Sequence, residues 1–90
     1  MKVRVRVYST PYCGYCVRAK ALLRRLGVAF DEIDVSGDAA KRAWLVAQTG
    51  RRTVPQIFID ERPIGGFNEL AAMERRGELA PMFAGEASPA

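Results

Sequence analysis

Between Val3 and Leu26 the spacing of apolar residues changes from two to three or four, and the change falls on the chain's only two cysteines, Cys13 and Cys16. Val3, Val5 and Val7 alternate with Arg4 and Arg6, the period of a strand, and β-branching supports that reading. Ser9-Thr10-Pro11 ends the run. Cys16, Ala19, Leu23 and Leu26 then recur at helical spacing, with Gly27 placed as a stop. A helix opening near Gly14 puts Cys13 at or beside its N-cap and Cys16 one turn later, so the two sulfurs share a face. The thiolate is the reactive form of cysteine, and a helix N-terminus stabilises that anion through unpaired N–H groups and the positive end of its dipole. Cys13, at the exposed end, is the expected nucleophile, and Cys16, in the first turn, the expected resolving thiol.

Blander uses of two cysteines fit less well. A structural zinc ion takes four Cys or His ligands, and this chain has two cysteines and no histidine. A static staple over so short a loop removes only about 2 kcal/mol of unfolded-state entropy, and small secreted domains normally carry several bridges. Incidental buried thiols have no reason to sit at a helix start. The pattern reads as a redox site.

The 90 residues suit one small domain. No apolar run approaches the ~20 residues of a membrane span. Met1 to Val7 alternates charge with valine and holds no signal-peptide apolar core, so a reducing cytosol is the expected compartment, where a dithiol is more often catalytic than structural. The net charge is +4, but no nucleic-acid motif accompanies it and the aromatics are not interleaved with the basic residues. Neither nucleic acid nor membrane is an expected partner. Arg18, Lys20, Arg24 and Arg25 follow the cysteines, either as a solvated helix face or as a field that favours anions around the thiol.

Further along, Val28 to Val35 reads as a second strand, and Ser36-Gly37-Asp38 as a turn whose Asp38 caps the next helix. On that helix Ala40, Ala43, Trp44 and Ala47 form an apolar stripe closed by Gly50, which places Trp44 in the core. Gln56 to Asp60 is a third strand, and Asp60-Glu61-Arg62-Pro63 a hairpin turn into a short edge strand. Gly65-Gly66 leads to a last helix with Asn68 as cap, Leu70 and Met73 inward, and Gly77 as stop. Residues 1–84 are expected to form the domain and 85–90 a frayed tail. The order β-α-β-α-β-β-α implies an α/β fold in which the first two strands are parallel with a right-handed crossover and the last two antiparallel. Ligand sites in such sheets lie outside the carboxyl ends of strands, where the cysteines fall.

From about Val3 to Pro81 the chain resembles the glutaredoxins, small thioredoxin-fold proteins that use glutathione. The resemblance rests on Tyr12-Cys13-Gly14-Tyr15-Cys16, Thr53-Val54-Pro55-Gln56, and Gly65-Gly66 before the final helix. It implies a thioredoxin-like fold with a four-stranded mixed sheet flanked by helices. The implied activity is glutathione-dependent thiol–disulfide exchange on protein disulfides and glutathionylated proteins, by a monomer with no tightly bound cofactor. It further implies that Pro55 is cis and faces the dithiol, and that Val54 offers its N–H and C=O to the glutathione backbone, beside Thr53. The γ-glutamyl end would lie at Gly66, Phe67 and Asn68, where a helix N-terminus binds carboxylate and glycine permits close approach. Tyr15 would pack beside the tripeptide, and Arg52 would pair with its glycine carboxylate. Many family members have Pro where Gly14 stands, Lys where Thr10 stands and Asp where Asn68 stands. Members with Gly or Ser in place of that Pro can hold a 2Fe-2S cluster between two subunits with glutathione as co-ligand, so the alternative is a dimeric cluster carrier with Cys13 as its ligand.

Overall fold

A computed structural model describes residues 3–83. The elements are β1 (Val5–Ser9), α1 (Gly14–Arg25), β2 (Asp31–Asp34), α2 (Ala39–Thr49), β3 (Gln56–Ile59), β4 (Arg62–Gly65), α3 (Phe67–Arg75) and a short α4 (Leu79–Met82). The sheet runs β2-β1-β3-β4. β1 is parallel to β2 and antiparallel to β3, and β3 and β4 form an antiparallel hairpin. The first strand thus starts two residues later than Val3 and runs through Ser9, and the second pairs only over Asp31–Asp34. Val28 is buried all the same. The α4 turn went unread because a single four-residue turn carries too little periodicity; it buries Leu79 at its start and Phe83 at its end. The proposed boundary between residues 84 and 85 lies outside the described residues.

Alternation along β1 and β3 divides the interior. Val5, Val7, Ile57 and Ile59 face Ala19, Leu22, Leu23, Leu70, Leu79 and Phe83, which is the larger core beneath α1, α3 and α4. Tyr8 and Phe58 face the other way, towards Val35 and Leu45 beneath α2. The expected stripe on α2 is wrong. Ala40, Ala43 and Ala47 are exposed, and Leu45 is the buried residue. Three of the four stripe residues were alanines, so a face carrying the larger leucine, flanked by the half-buried Val46, buries more apolar area and wins. Trp44 is not in the core: it remains 40% exposed, with its ring stacked on Phe58 at 5.7 Å and tilted against Tyr8 at 5.6 Å. It roofs the smaller cluster.

Candidate active site

The end of β1 delivers the dithiol. Cys13 is the N-cap of α1, and its Sγ accepts the N–H of Cys16 at 3.3 Å, closing the first turn as a capping side chain does. Cys13 is partly exposed and Cys16 completely buried. Both are free thiols. Burial alone would raise the Cys13 thiol, but the thiol and N–H of Cys16, the N–H of Tyr15 and the charge of Lys20 together outweigh it and hold the group below its ordinary value. Cys16 goes the other way. Burial first, then its hydrogen bond to Cys13, pushes it up to about 11 against the opposing N–H of Thr10 and charge of Lys20. Of the four basic residues after the cysteines, Lys20 is therefore the one turned to the site. Its Nζ lies 2.6 Å from Glu32 Oε2, which also accepts from the buried Ser9 hydroxyl at 3.1 Å. Composition pointed to a basic cluster but gave no sign of the carboxylate on β2 that holds Lys20 in place.

Across from the dithiol lies the segment before β3. The Val54–Pro55 bond is cis, and the Val54 carbonyl accepts from Cys13 Sγ at 3.5 Å. Pro55 is buried. Buried Gln56 donates through Nε2 to the Thr53 carbonyl at 2.9 Å and to the Thr53 hydroxyl at 3.3 Å, which fixes the loop from behind. The third element is the start of α3, whose N-cap is Gly66 and not Asn68. Asn68 stands in the first turn, exposed; the carboxylate of Glu69 takes the Gly66 N–H instead, at 2.7 Å. Gly66 comes so close to the proline loop that a Cβ on it would lie 3.1 Å from the Pro55 carbonyl oxygen.

These elements bring together most of the residues expected from the sequence. Cys13 and Val54 meet directly, Pro55 follows Val54 in the loop, and Gly66 joins them through Pro55. Tyr15, 53% exposed, tilts against Phe67 with ring centroids 6.3 Å apart, and the Arg18 guanidinium lies over its ring at 5.6 Å. Arg52 is exposed, and it lines an open cavity of about 480 Å3 with Thr53, Val54, Arg42 and Arg51. Arg42 and Arg51 were not anticipated, since both sit among exposed polar residues with no motif around them. An iron–sulfur cluster takes four thiolate or similar ligands. Among the described residues no three Cys, His, Asp or Glu side chains gather, and with Cys16 buried each chain has one accessible thiol. The residues of one chain do not by themselves make a cluster site, and the paired thiols Cys13 and Cys16 favour the oxidoreductase reading over the cluster carrier.

A dithiol at the N-terminus of the first helix, opposed by a cis-proline loop on a four-stranded mixed sheet, defines a thioredoxin-like thiol–disulfide protein. The glutaredoxin family model matches residues 5–64. The chain is 50% identical over 79 residues to glutaredoxin 3 of Escherichia coli (strain K12), covering 88% of this chain and 95% of that protein. To the glutaredoxin of Pseudomonas aeruginosa it is 49% identical over 75 residues, covering 83% and 89%. The crystal structure of a buckwheat glutaredoxin–glutathione complex superposes with a TM-score of 0.86 at 36% identity, over 98% of this chain and 83% of that one. The chain belongs to the glutaredoxin family, as a dithiol member whose thiol–disulfide oxidoreductase pair is Cys13 and Cys16. Among the described residues no helix is long and apolar enough to cross a membrane.

Proposed function

We propose that this protein reduces glutathione mixed disulfides and protein disulfides with glutathione as the electron donor, acting as a monomer in a reducing cytosol. The observation that carries the reading is the chain of contacts from the Cys13 thiol to the Val54 carbonyl 3.5 Å away and, through Pro55, to the α3 N-terminus. Cys13 thiolate attacks one sulfur of the substrate disulfide; the S–S bond breaks, and the departing thiolate takes a proton from water. With a protein disulfide, Cys16 then loses its proton and attacks Cys13 Sγ, releasing the second thiol and leaving a Cys13–Cys16 disulfide. Two glutathione molecules reduce that disulfide and leave as glutathione disulfide. With a glutathione mixed disulfide, a second glutathione attacks directly and Cys16 is bypassed.

Glutathione is seated, in this reading, along Thr53, Val54 and Pro55 as a short antiparallel rung. Tyr15 flanks it. Arg52 takes the glycine carboxylate, and the first-turn N–H groups at Gly66, Phe67 and Asn68 form the end that receives the γ-glutamyl carboxylate. Glu69 already occupies the Gly66 N–H, so Phe67 and Asn68 supply the open donors while Gly66 supplies close approach. Turnover of a small glutathione mixed disulfide is the test. Arg52→Ala should raise the Michaelis constant for glutathione about fivefold or more, the size of a partly exposed charge-assisted pair. Asn68→Asp should lower it or leave it unchanged, by giving the ligand ammonium a negative neighbour. An unchanged constant in the first variant and a clearly raised one in the second would move the ligand elsewhere.

A further inference from the structure

Two glycines precede α3, and the structure gives each a neighbour within the protein. Gly65 sits at φ +111°, and a Cβ there would lie 2.7 Å from Glu69 Oε1 and 2.8 Å from its Cγ. Gly66 admits the Pro55 carbonyl. Gly65 is therefore needed by its backbone conformation and by the Glu69 side chain it makes room for, and Gly66 packs closely on the proline loop, before any ligand is considered.

Glu69 Oε1 has two partners on different elements. It accepts the Gly66 N–H at 2.7 Å, at the start of α3, and the Arg51 Nη1–H at 3.0 Å, from the loop that leads to Thr53. The Arg51 side chain first, then the Gly66 N–H, holds the Glu69 carboxyl below the usual carboxylate range, so the group is charged at neutral pH. The loop end of the bridge is itself anchored. Thr49 Oγ1 accepts the Arg51 N–H at 3.1 Å and donates to the Leu45 carbonyl at 2.8 Å in α2, and Gln56 pins Thr53 two residues further on.

We infer that Glu69, gripped by Arg51, is a positioning residue that sets the distance between the Val54 rung and the α3 N-terminus, the two halves of the ligand seat. The inference rests on the glutathione reading above. It follows from connectivity: a tripeptide bound at both halves is sensitive to their spacing, and the Arg51–Glu69 pair is a side-chain bridge from the loop before Thr53 to the cap of α3. The bridge also removes the Gly66 N–H from the donors that the α3 N-terminus leaves for the ligand, because Glu69 consumes it.

The test is a double-mutant cycle with Arg51→Met and Glu69→Gln, supplemented by Glu69→Ala, each read for the glutathione Michaelis constant and kcat. Each single variant should raise the Michaelis constant by about threefold to fivefold with a smaller change in kcat, the scale of a partly exposed charged hydrogen bond. The double variant should be no worse than Glu69→Gln, and Glu69→Ala should be worst because it also uncaps Gly66. Effects that simply add in the cycle would overturn the inference, as would a lowered melting temperature with an unmoved Michaelis constant. A second measurement needs no ligand. Amide hydrogen exchange in Glu69→Ala should quicken on both sides of the bridge, at Thr53–Val54 as well as Phe67–Asn68. Faster exchange confined to α3 would make Glu69 a cap and nothing more. If wild type showed no saturation by glutathione, the seat would fail as a reading, and exchange alone would decide the bridge.

Discussion

Cys13 and Cys16 are one residue type, one helical turn apart, yet the fold makes them opposite reagents. Cys13 caps the helix, is partly open to solvent and is held below the ordinary thiol value; Cys16 lies inside the first turn, fully buried and raised to about 11. Burial pushes both upward, and on the fully buried Cys16 it is the largest cause of the rise. Hydrogen bonds widen the gap, because Cys13 collects donors and Cys16 is one of them. A dithiol works as a redox pair because only one member is poised to attack first, while the other waits protonated until the mixed disulfide brings an electrophile to it.

The harshest way to break this comparison is to delete each sulfur in turn. Cys13→Ser should bring all thiol transfer down to the uncatalysed background, measured with both a glutathione mixed disulfide and a protein disulfide. Cys16→Ser should keep about half or more of the mixed-disulfide turnover, where external glutathione resolves, and lose protein-disulfide reduction that needs both thiols. Should the second variant be the dead one for mixed disulfides, the roles would be exchanged.

A gentler probe is pH. Since the Cys13 midpoint lies below that of a free thiol, its alkylation rate should already be near its plateau where a free cysteine is still climbing. The rate should fall only as pH drops through the depressed midpoint. Cys16 should stay unreactive through pH 9 and open only as pH approaches its value of about 11. Mass spectrometry of single-site alkylation across pH would separate the two curves; coincident curves would erase the contrast.

The smallest effect expected comes from Lys20, whose charge lowers both thiols. Lys20→Met should raise both midpoints together and slow Cys13 alkylation at neutral pH by about twofold to threefold, a fraction of one pKa unit. Glu32→Gln frees Lys20 from its carboxylate partner and should shift Cys13 the opposite way. Shifts confined to one thiol would mean that Lys20 acts by contact rather than through its field.

Much of this was legible in the chain. The change of period at Cys13, the caps at Cys13 and Asp38, and the turn at Asp60 placed nearly every element, because each is a local property of a few neighbouring residues. Local patterns misled where two choices were both compatible with a helix. On α2 an alanine-rich stripe and a Leu45 face each had helical spacing, and only the sheet beneath, with Phe58 and Tyr8 presented to it, selected the latter. At α3 the sequence offered Asn68 as a cap, a residue type suited to that role. Glu69 took the Gly66 N–H instead.

What the sequence determined by itself was the chemistry: two thiols at a helix start, a proline loop and a glycine pair, in an order that resembles one family. Tertiary structure decided how those parts act on one another. Gly65 and Gly66 were read as openings for a ligand, and the fold adds a use inside the protein, as spaces for Glu69 and the Pro55 carbonyl. Lys20 was one of four cations until β2 brought Glu32 against it. Arg51 was an unremarked surface residue until α3 placed Glu69 within 3.0 Å of it. For the Pro55 approach and the two charge pairs the physical reason is the same. A capping residue or a strand period is set by groups a few positions away, whereas a charge pair or a close backbone approach depends on residues 10 to 20 positions apart that only packing brings together.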